Sequence, residues 1–285
     1  MEQRLISVVL PVFNEEALVG RALESIQNQT WCNLEIIVVD DHSTDRTAEI
    51  VKAIAVSDPR VQYHLNPKGI SKRKNWRGYD INAGWSARAY GFSIAKAEWI
   101  TTQDSDDASL INRIEIQHSL AKKYDATFIA IGWIDLTEKT LGRKLDIEQF
   151  IEGKNEDDLI IRPEEIKDLA AKSRGPLMIE PIHQLIPFSL KWFPYTRKLF
   201  YENIEGAPGA DNCMFFHRKV IDAGLNFRPR NKRTWGTPNG RGSGRDFFFR
   251  VAHTFGNSWS FRIPLYLWNV KLKNKDYPNY EKYLV

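Results

Sequence analysis

Three apolar runs separated by two amphipathic segments occupy the first 65 residues, and this alternation constrains the fold more than any other feature. The runs at 5–12, 34–39 and 61–65 are typical of parallel strands that are buried on both faces. Helical periodicity marks the segments between them, 15–26 and 44–57. Strand, helix, strand, helix and strand in this order predict two right-handed βαβ units in an open sheet.

The same pattern continues to about residue 135 and then weakens. We predict further helices and strands at 83–95 (helix), 98–103 (strand), 110–123 (helix), 126–134 (strand), 247–255 (helix) and 261–268 (strand). The predicted fold class is α/β, a Rossmann-like open and mostly parallel twisted sheet with helices on both faces.

Composition sets broad limits on function. The chain has 285 residues, of which 42% are hydrophobic, so a normal core is available. A net charge of +4 is compatible with anionic ligands such as nucleotide phosphates but does not require them, and we expect no nucleic-acid partner. The two cysteines, Cys32 and Cys213, lack metal-ligand spacing, which favours a reduced, cytoplasmic setting.

The chain contains no apolar stretch near the roughly 18 residues of a spanning helix. Any membrane contact would therefore be peripheral, on the inner face of the membrane, and this alternative stays open. The apolar run at the N-terminus is short and contains Ser7 and Pro11, so it is interpreted as a strand and not as a signal peptide.

Aspartates follow the predicted strand at 98–103. Asp104 and Asp106 are separated by one residue, and two carboxylates with this spacing can bind one hard divalent cation together with diphosphate oxygens. Because Asp107 precedes a helical pattern, these residues could instead form an N-cap or an Asx turn.

Polar clusters also follow the first two predicted strands. Residues 11–14 follow the first strand, where Asn14 would cap the next helix, and Asp40 and Asp41 follow the second. Since ligands bind at the carboxyl ends of strands in open α/β sheets, the three clusters together predict a ligand site.

Four segments resemble glycosyltransferase family 2 in order and spacing. They are Ile6 to Glu16, Asn33 to Asp45, Ser86 to Gly91 and Asp104 to Asp106. The chain departs from the family's pattern at His42, where Gly or Asn is usual, and at Ala89, where Asn is usual. The resemblance covers residues 5 to about 135 and implies a GT-A fold, a nucleotide-sugar donor, a divalent metal (Mn²⁺ or Mg²⁺) and inversion at the anomeric carbon.

The family's site residues can be transferred one at a time. The resemblance implies that residues 1–135 form the nucleotide-sugar-binding half and residues 136–285 the acceptor-binding and catalytic half of the same domain. Pro11, Phe13 and Glu15 would contact the nucleotide, and Asp41 or Asp40 would recognise its base. Arg88 would contact the diphosphate or the base, and Asp104 and Ser105 would contact the nucleotide sugar. Asp106 would bind the metal together with Asp104.

The general base is harder to place. Many family members have a Glu-Asp pair before an apolar stretch and an Arg, and counting back from Arg250 puts the usual base position on Gly244. Asp246, two places later, is the first candidate for the catalytic base. Asp211 and Glu205 are the alternatives.

Three further segments have several interpretations. The basic, glycine-rich segment 226–245 would be a lid over the diphosphate or a solvated loop. Aromatic residues lie among cations at 188–201, and this segment would be an acceptor wall, a membrane patch or a satellite core. The basic run 68–77 would meet an acidic acceptor or lipid phosphates, or be a solvated loop.

The expected function is transfer of a sugar from a nucleotide-diphosphate sugar to an acceptor hydroxyl with inversion, in polysaccharide or glycoconjugate biosynthesis. UDP is favoured because the family mostly uses it, and the acceptor would be a carbohydrate or a lipid-linked molecule. One alternative is an inactive nucleotide-sugar-binding module. The other is a nucleotidyltransferase, which would need a glycine-rich, lysine-bearing signature where this chain has residues 11–14.

Overall fold

The computed structural model describes residues 3–68, 84–191, 193–201, 213–236, 242–269 and 280–285. Its strands are β1 (Ile6–Val12), β2 (Leu34–Asp40), β3 (Val61–Leu65), β4 (Trp99–Thr102), β5 (Ala108–Ser109), β6 (Phe128–Asp135), β7 (Ile160–Ile161), β8 (Met214–His217) and β9 (Ser258–Trp268). Its α-helices are α1 (Val19–Gln27), α2 (Thr47–Ser57), α3 (Trp85–Ile94), α4 (Arg113–Lys123), α5 (Ile147–Ile151), α6 (Glu156–Leu159), α7 (Pro163–Lys172), α8 (Ile182–Leu185), α9 (Phe188–Lys191), α10 (Arg197–Phe200), α11 (Lys219–Asp222) and α12 (Ser243–Phe255).

These strands form one sheet in the order β3-β2-β1-β4-β8-β6-β9-β5, with β7 paired to β9. The four strands β3, β2, β1 and β4 are mutually parallel, and β6 is parallel to β9. Strand β8, which the sequence pattern did not predict, lies antiparallel between β4 and β6. Strands from the second half of the chain therefore continue the sheet that the first half begins.

Hydrophobic cores cover both faces of the sheet. Strand β1 is buried along its whole length because alternate residues face opposite cores: Val8 lies in the core beneath α1, α2 and α4, and Val9 lies in the core beneath α3, α7 and α12. The predicted α/β fold, a mostly parallel sheet with helices on both faces, is confirmed.

The topology brings the predicted site together. Strands β2, β1 and β4 are adjacent and parallel, so their carboxyl ends meet at one edge of the sheet. Residues 13–15, 41–43 and 103–107 all leave the sheet at this edge.

Candidate active site

The loops after β1 and β2 are joined by hydrogen bonds. The backbone N–H of Asn14 donates to Oγ of Ser43 at 3.0 Å, and the N–H of Thr44 donates to Oδ1 of Asn14 at 2.7 Å. Asn14 and His42 both have positive φ angles, 53° and 66°, so each loop turns sharply. Helix α1 begins at Val19, so the prediction that Asn14 caps it is wrong. The side-chain oxygen of Asn14 instead accepts the hydrogen bond from the loop after β2.

Both carboxylate oxygens of Asp40 accept hydrogen bonds from protein groups. Its Oδ1 accepts the N–H of Ser43 at 2.7 Å, and its Oδ2 accepts the hydroxyl of Tyr63 at 2.8 Å. The side chain is buried, so the geometry favours a structural role in the β2 turn over recognition of a nucleotide base.

Asp41 lies one residue further, at the point where β1 and β2 separate. Its N–H donates to the carbonyl of Val12 at 2.8 Å, and its Oδ1 accepts Nδ2 of Asn66 at 2.7 Å. The same amide nitrogen of Asn66 also donates to Oγ of Ser86 at 3.1 Å, which ties the ends of β2 and β3 to α3. These bonds orient the Asp41 carboxylate at the sheet edge, and we favour it over its neighbour for contact with the base.

The remaining residues predicted to contact the nucleotide from the β1 side surround the end of that strand. Pro11 is buried, whereas Phe13 and Glu15 are half-buried, and the N–H of Glu15 donates to Oγ1 of Thr47 at 2.8 Å. Gly84, with a φ of 66°, precedes α3, and a Cβ atom added to it would lie 3.5 Å from Cβ of Pro11. The start of α3 therefore packs directly against the end of β1.

Arg88 on α3 and Asp104 after β4 form an ion pair between guanidinium and carboxylate. The guanidinium carbon also lies 5.9 Å from the ring centroid of Phe227. The backbone N–H of Asp104 donates to the hydroxyl of Tyr266 at 3.0 Å, so the aspartate is fixed through its main chain as well. Arg88 is thus placed among the site carboxylates, where a guanidinium also suits an anionic phosphate oxygen.

Asp104, Asp106 and Asp107 bring one carboxylate oxygen each to within 4.8 Å of the others. Asp107 accepts the N–H of Asn269 at 2.8 Å. Burial and the neighbouring carboxylate of Asp104 raise the pKa of Asp107 to about 7. Hard oxygen donors this close, whose mutual repulsion a cation would relieve, fit Mg²⁺ or Mn²⁺. Ser105 is buried between the two outer aspartates of the predicted motif.

Three side chains of this edge were missed by sequence reasoning. Arg21 donates to the carbonyl of Asp106 at 3.0 Å, Asn66 holds Asp41, and Tyr266 holds Asp104. Asn66 follows β3 directly, and its position after a predicted strand was a usable signal. Arg21 and Tyr266 lie inside a helix and a strand, where no local pattern distinguishes them.

Asp246 occupies a different environment from that of a general base. It is fully buried in the first turn of α12 and accepts hydrogen bonds on both carboxylate oxygens. Oδ2 accepts Nε of Arg228 at 2.8 Å and Nε of Arg250 at 3.0 Å, and Oδ1 accepts the N–H of Thr234 at 2.7 Å. Burial opposes its ionisation, but Arg250 and Arg228 outweigh burial and hold the pKa of Asp246 below its usual value. These contacts point to a structural role.

The network continues outward to Glu180. One oxygen of Glu180 accepts Nη2 of Arg228 at 2.6 Å and the hydroxyl of Thr234 at 2.8 Å, while its side chain stays 44% exposed. Among the buried members, Oγ1 of Thr234 lies 3.0 Å from Nε2 of His183, and Nζ of Lys191 lies 3.3 Å from Nδ1 of His183. Glu180 is the solvent-exposed carboxylate of a network whose other members are buried or nearly so.

The segment 226–245 is described except for residues 237–241, and residues 233–236 are buried whereas Asn231 and Lys232 are exposed. Arg233 is buried and donates from Nε to the carbonyl of Arg228 at 2.9 Å. Trp235 is also buried and donates from its indole nitrogen to the carbonyl of Ala170 at 2.7 Å. The prediction of a solvated loop is wrong for Arg233 and Trp235, which are buried, and the tryptophan packs against α7. The lid over the diphosphate stays a prediction.

The aromatic segment divides into two groups. Phe200 and Tyr201 are buried with Met178 in a small satellite core, whereas Phe193 and Tyr195 are 53% and 88% exposed. The burial of Phe200 and Tyr201 agrees with the interpretation as a satellite core. Phe193 and Tyr195 are exposed, and an acceptor wall or a membrane patch stays a prediction for them.

Some predictions lie outside the described residues. The alternative bases Asp211 and Glu205 fall in 202–212, and nearly all of the basic run 68–77 falls in 69–83.

Comparison with known proteins identifies the family. The family model for glycosyl transferase family 2 matches residues 7–254. This chain belongs to glycosyltransferase family 2. The match spans both the carboxylate edge and α12, so it extends well beyond the segments in which the sequence resemblance was evident.

Curated relatives of this family 2 chain align over part of their lengths. Glycosyltransferase GlyG of Streptococcus pneumoniae is 37% identical over 47% of this chain and 40% of that protein. The GalNAc(5)-diNAcBac-PP-undecaprenol beta-1,3-glucosyltransferase of Campylobacter jejuni is 36% identical over 37% of this chain and 30% of that protein. The UDP-Glc:alpha-D-GlcNAc-diphosphoundecaprenol beta-1,3-glucosyltransferase WfgD of Escherichia coli is 30% identical over 45% of this chain and 46% of that protein. The chain thus matches less than half of the length of each.

Solved structures share the fold of this family 2 chain. S. aureus TarS 1–349 in complex with UDP-GlcNAc aligns with a TM-score of 0.56 at 12% identity, over 94% of this chain and 59% of that one. At this identity the likeness concerns the fold alone. Within the described ranges, no helix combines the length and the apolar character needed to cross a bilayer.

Proposed function

We propose that this protein transfers a sugar from a UDP-sugar to an acceptor hydroxyl with inversion, in the synthesis of a polysaccharide or a lipid-linked glycoconjugate. The observation that carries the proposal is the cluster of Asp104, Asp106 and Asp107 with Arg88 at the edge of the sheet. Support for the nucleotide comes from the TarS complexes with UDP-GlcNAc and UDP, and from the UDP-glucose donor in the name of WfgD.

Each part of the donor has a matching group on the protein. Asp41, oriented by Asn66, would accept a hydrogen bond from the base. Asp106 and Asp104 would bind the divalent cation, with Asp107 as the third carboxylate of the cluster. When bound there, the cation would neutralise the diphosphate and stabilise it as a leaving group. Arg88, already next to these carboxylates, would contact a phosphate oxygen.

Inversion follows from a single displacement. A base removes the proton from the acceptor hydroxyl, the oxygen bonds to the anomeric carbon, and the bond from that carbon to the diphosphate breaks on the opposite face. Since the contacts of Asp246 leave it a structural role, we assign the base among the other carboxylates. Glu180 is the exposed candidate, and Asp211 and Glu205 remain alternatives.

One observation favours a second function, an inactive module that binds nucleotide sugars. The family's usual base position holds Gly244, and Asp246 has hydrogen bonds on both oxygens. Release of UDP from UDP-sugars in the presence of manganese, with or without a lipid-linked acceptor, separates the two: a module would bind donor and release none.

Calorimetry with UDP tests the donor site. We expect binding to wild type that depends on Mn²⁺, and loss of this dependence in Asp106→Ala. Asp222→Ala, which removes an exposed carboxylate on α11, is the matched control and should bind like wild type. Equal UDP affinity with and without manganese, or equal affinity of wild type and Asp106→Ala, would overturn the proposed site.

A further inference from the structure

Exposed apolar side chains are concentrated in one segment. Of the fourteen large hydrophobic side chains that are exposed among the described residues, eight lie between residues 177 and 199. We call them the apolar face: Leu177, Ile179, Ile182, Leu185, Leu190, Phe193, Tyr195 and Leu199. Exposed apolar side chains concentrated in one segment indicate an interaction site, whereas single ones scattered over a surface do not.

A backbone hydrogen bond and a ring contact bring members of the apolar face together in pairs. The N–H of Leu177 donates to the carbonyl of Leu199 at 2.9 Å, so these residues are neighbours although they are distant in sequence. The rings of Phe193 and Tyr195 lie 5.6 Å apart. Beneath them, the satellite core buries Met178 and two aromatic residues, with one half-buried isoleucine packed against it. The segment therefore exposes more large apolar side chains than it buries.

Between residues 172 and 201 the charged residues are five cations and one acid. Exposed Lys172, Arg174, Arg197 and Lys198 lie in or beside the segment, and the sequence from 181 to 201 contains no acidic residue. Glu180 is the one acid between 172 and 201, and it is paired with Arg228 at 2.6 Å. Short helices that combine Leu, Ile and aromatic side chains with Lys and Arg, without free acids, suit the interface of an anionic bilayer.

A chain of contacts connects the apolar face with the candidate active site. Glu180, between two of its members, pairs with Arg228, which follows Phe227 in sequence. Phe227 in turn lies against the guanidinium of Arg88, the partner of Asp104. These contacts link Glu180, at the edge of the apolar face, to Arg88 and Asp104 of the candidate site.

We propose that α8–α10 and the preceding residues 177–181 dock this protein on the surface of an anionic membrane. The docking rests on the apolar face and its cations alone. Its use, to present a lipid-linked acceptor to the site, rests on the proposed transferase function.

Vesicle flotation of the full chain tests the docking. Wild type should float with phosphatidylcholine vesicles that contain phosphatidylglycerol, and less with phosphatidylcholine alone. The triple variant Leu185→Ser, Leu190→Ser, Tyr195→Ser should lower the partition coefficient at least about tenfold, because three apolar side chains leave the interface. Arg197→Gln with Lys198→Gln should remove the preference for anionic vesicles.

Matched controls separate docking from folding. Val56→Ser and Leu65→Ser remove exposed apolar side chains elsewhere, 89% and 51% exposed, and should float like wild type. Thermal unfolding and manganese-dependent UDP binding should be unchanged in all these variants. Absence of wild-type flotation, equal flotation of the triple variant, or a wild-type dimer that the triple variant dissolves would overturn the proposal. If UDP binding fails while flotation holds, the proposed function fails and the docking stands.

Discussion

Arg228 and Asp246 form a buried ion pair, with Nε and Oδ2 at 2.8 Å, that joins the segment after α11 to the first turn of α12. Arg250, one turn further along the helix, pairs with the same carboxylate at 3.0 Å. The carboxylate next to the family's base position is inaccessible because it is buried between two guanidinium groups, and Glu180 supplies the second negative charge of the network.

Asp246→Asn should therefore destabilise the protein. Removing one member of a buried ionic network leaves the partner charges uncompensated, and we expect the free energy of unfolding to fall by about 3–5 kcal/mol in urea denaturation. Asp222→Asn, which breaks the exposed pair with Arg218, is the control and should cost about 0.5 kcal/mol or less. A stable Asp246→Asn protein whose sugar transfer falls a hundredfold or more would return Asp246 to the role of base.

Gly91 on α3 is a packing requirement. A Cβ atom added there would lie 2.4 Å from Cγ1 of Val9 on β1, which is closer than atoms can approach. Gly91→Ala should lower the free energy of unfolding by about 1–3 kcal/mol through overpacking, although alanine favours helices. Gly20→Ala on α1, where nothing lies within 4 Å, should instead raise it by up to about 1 kcal/mol. The reverse order in chemical denaturation would contradict the packing of α3 on β1.

Lys191 gives the protein a pH-dependent stability. Burial and the nearby Arg228 lower the pKa of Lys191 to about 8, against an ordinary value of 10.5. Between these values the unfolded chain binds more protons, so the contribution of Lys191 to stability rises with pH across this window, and below it the cost of the buried charge is fully present. Relative to Lys191→Met, the wild-type free energy of unfolding should increase from pH 8 to pH 10.5. In Lys198→Met, at an exposed position of α10, the free energy of unfolding should depend on pH as in wild type. If the difference in this free energy between wild type and Lys191→Met does not change with pH, the ammonium of Lys191 is not buried.

Asp41 and Asp40 should respond differently to substitution. Asp41→Asn should weaken UDP binding by about 1–3 kcal/mol in calorimetry, because a charged acceptor for the base is lost. Tyr63→Phe, which removes the hydroxyl bonded to Asp40, should cost about 1 kcal/mol of stability and leave UDP affinity unchanged. Weakened binding in Tyr63→Phe with normal binding in Asp41→Asn would reverse the two roles.

Three carboxylates are candidates for the catalytic base. Glu180→Gln, Asp211→Asn and Glu205→Gln keep side-chain shape and remove proton acceptance. In the variant that lacks the base, we expect turnover to fall about a hundredfold or more with unchanged UDP affinity. If none of the three variants loses turnover in this way, all three assignments are wrong.

The sequence alone determined the parallel strands β1 to β4 and the position of Asp41, Asp104 and Asp106 at their carboxyl ends. Those features are local: a buried strand is visible as an apolar run, and the residue after it leaves the sheet at a known edge. That edge and a spacing of one residue were enough to predict that Asp104 and Asp106 lie close together.

Only the tertiary structure decided what Asp246 and the aromatic segment do. The environment of Asp246 depends on Arg228 and Thr234, which are 18 and 12 residues away, and neither pairing leaves a periodic signal in the sequence. Tyr266 reaches the backbone of Asp104 across 162 residues for the same reason. In the aromatic segment, composition was compatible with a core or a surface. Whether each residue is buried or exposed was decided by the fold, because burial depends on which side chains pack against each helix.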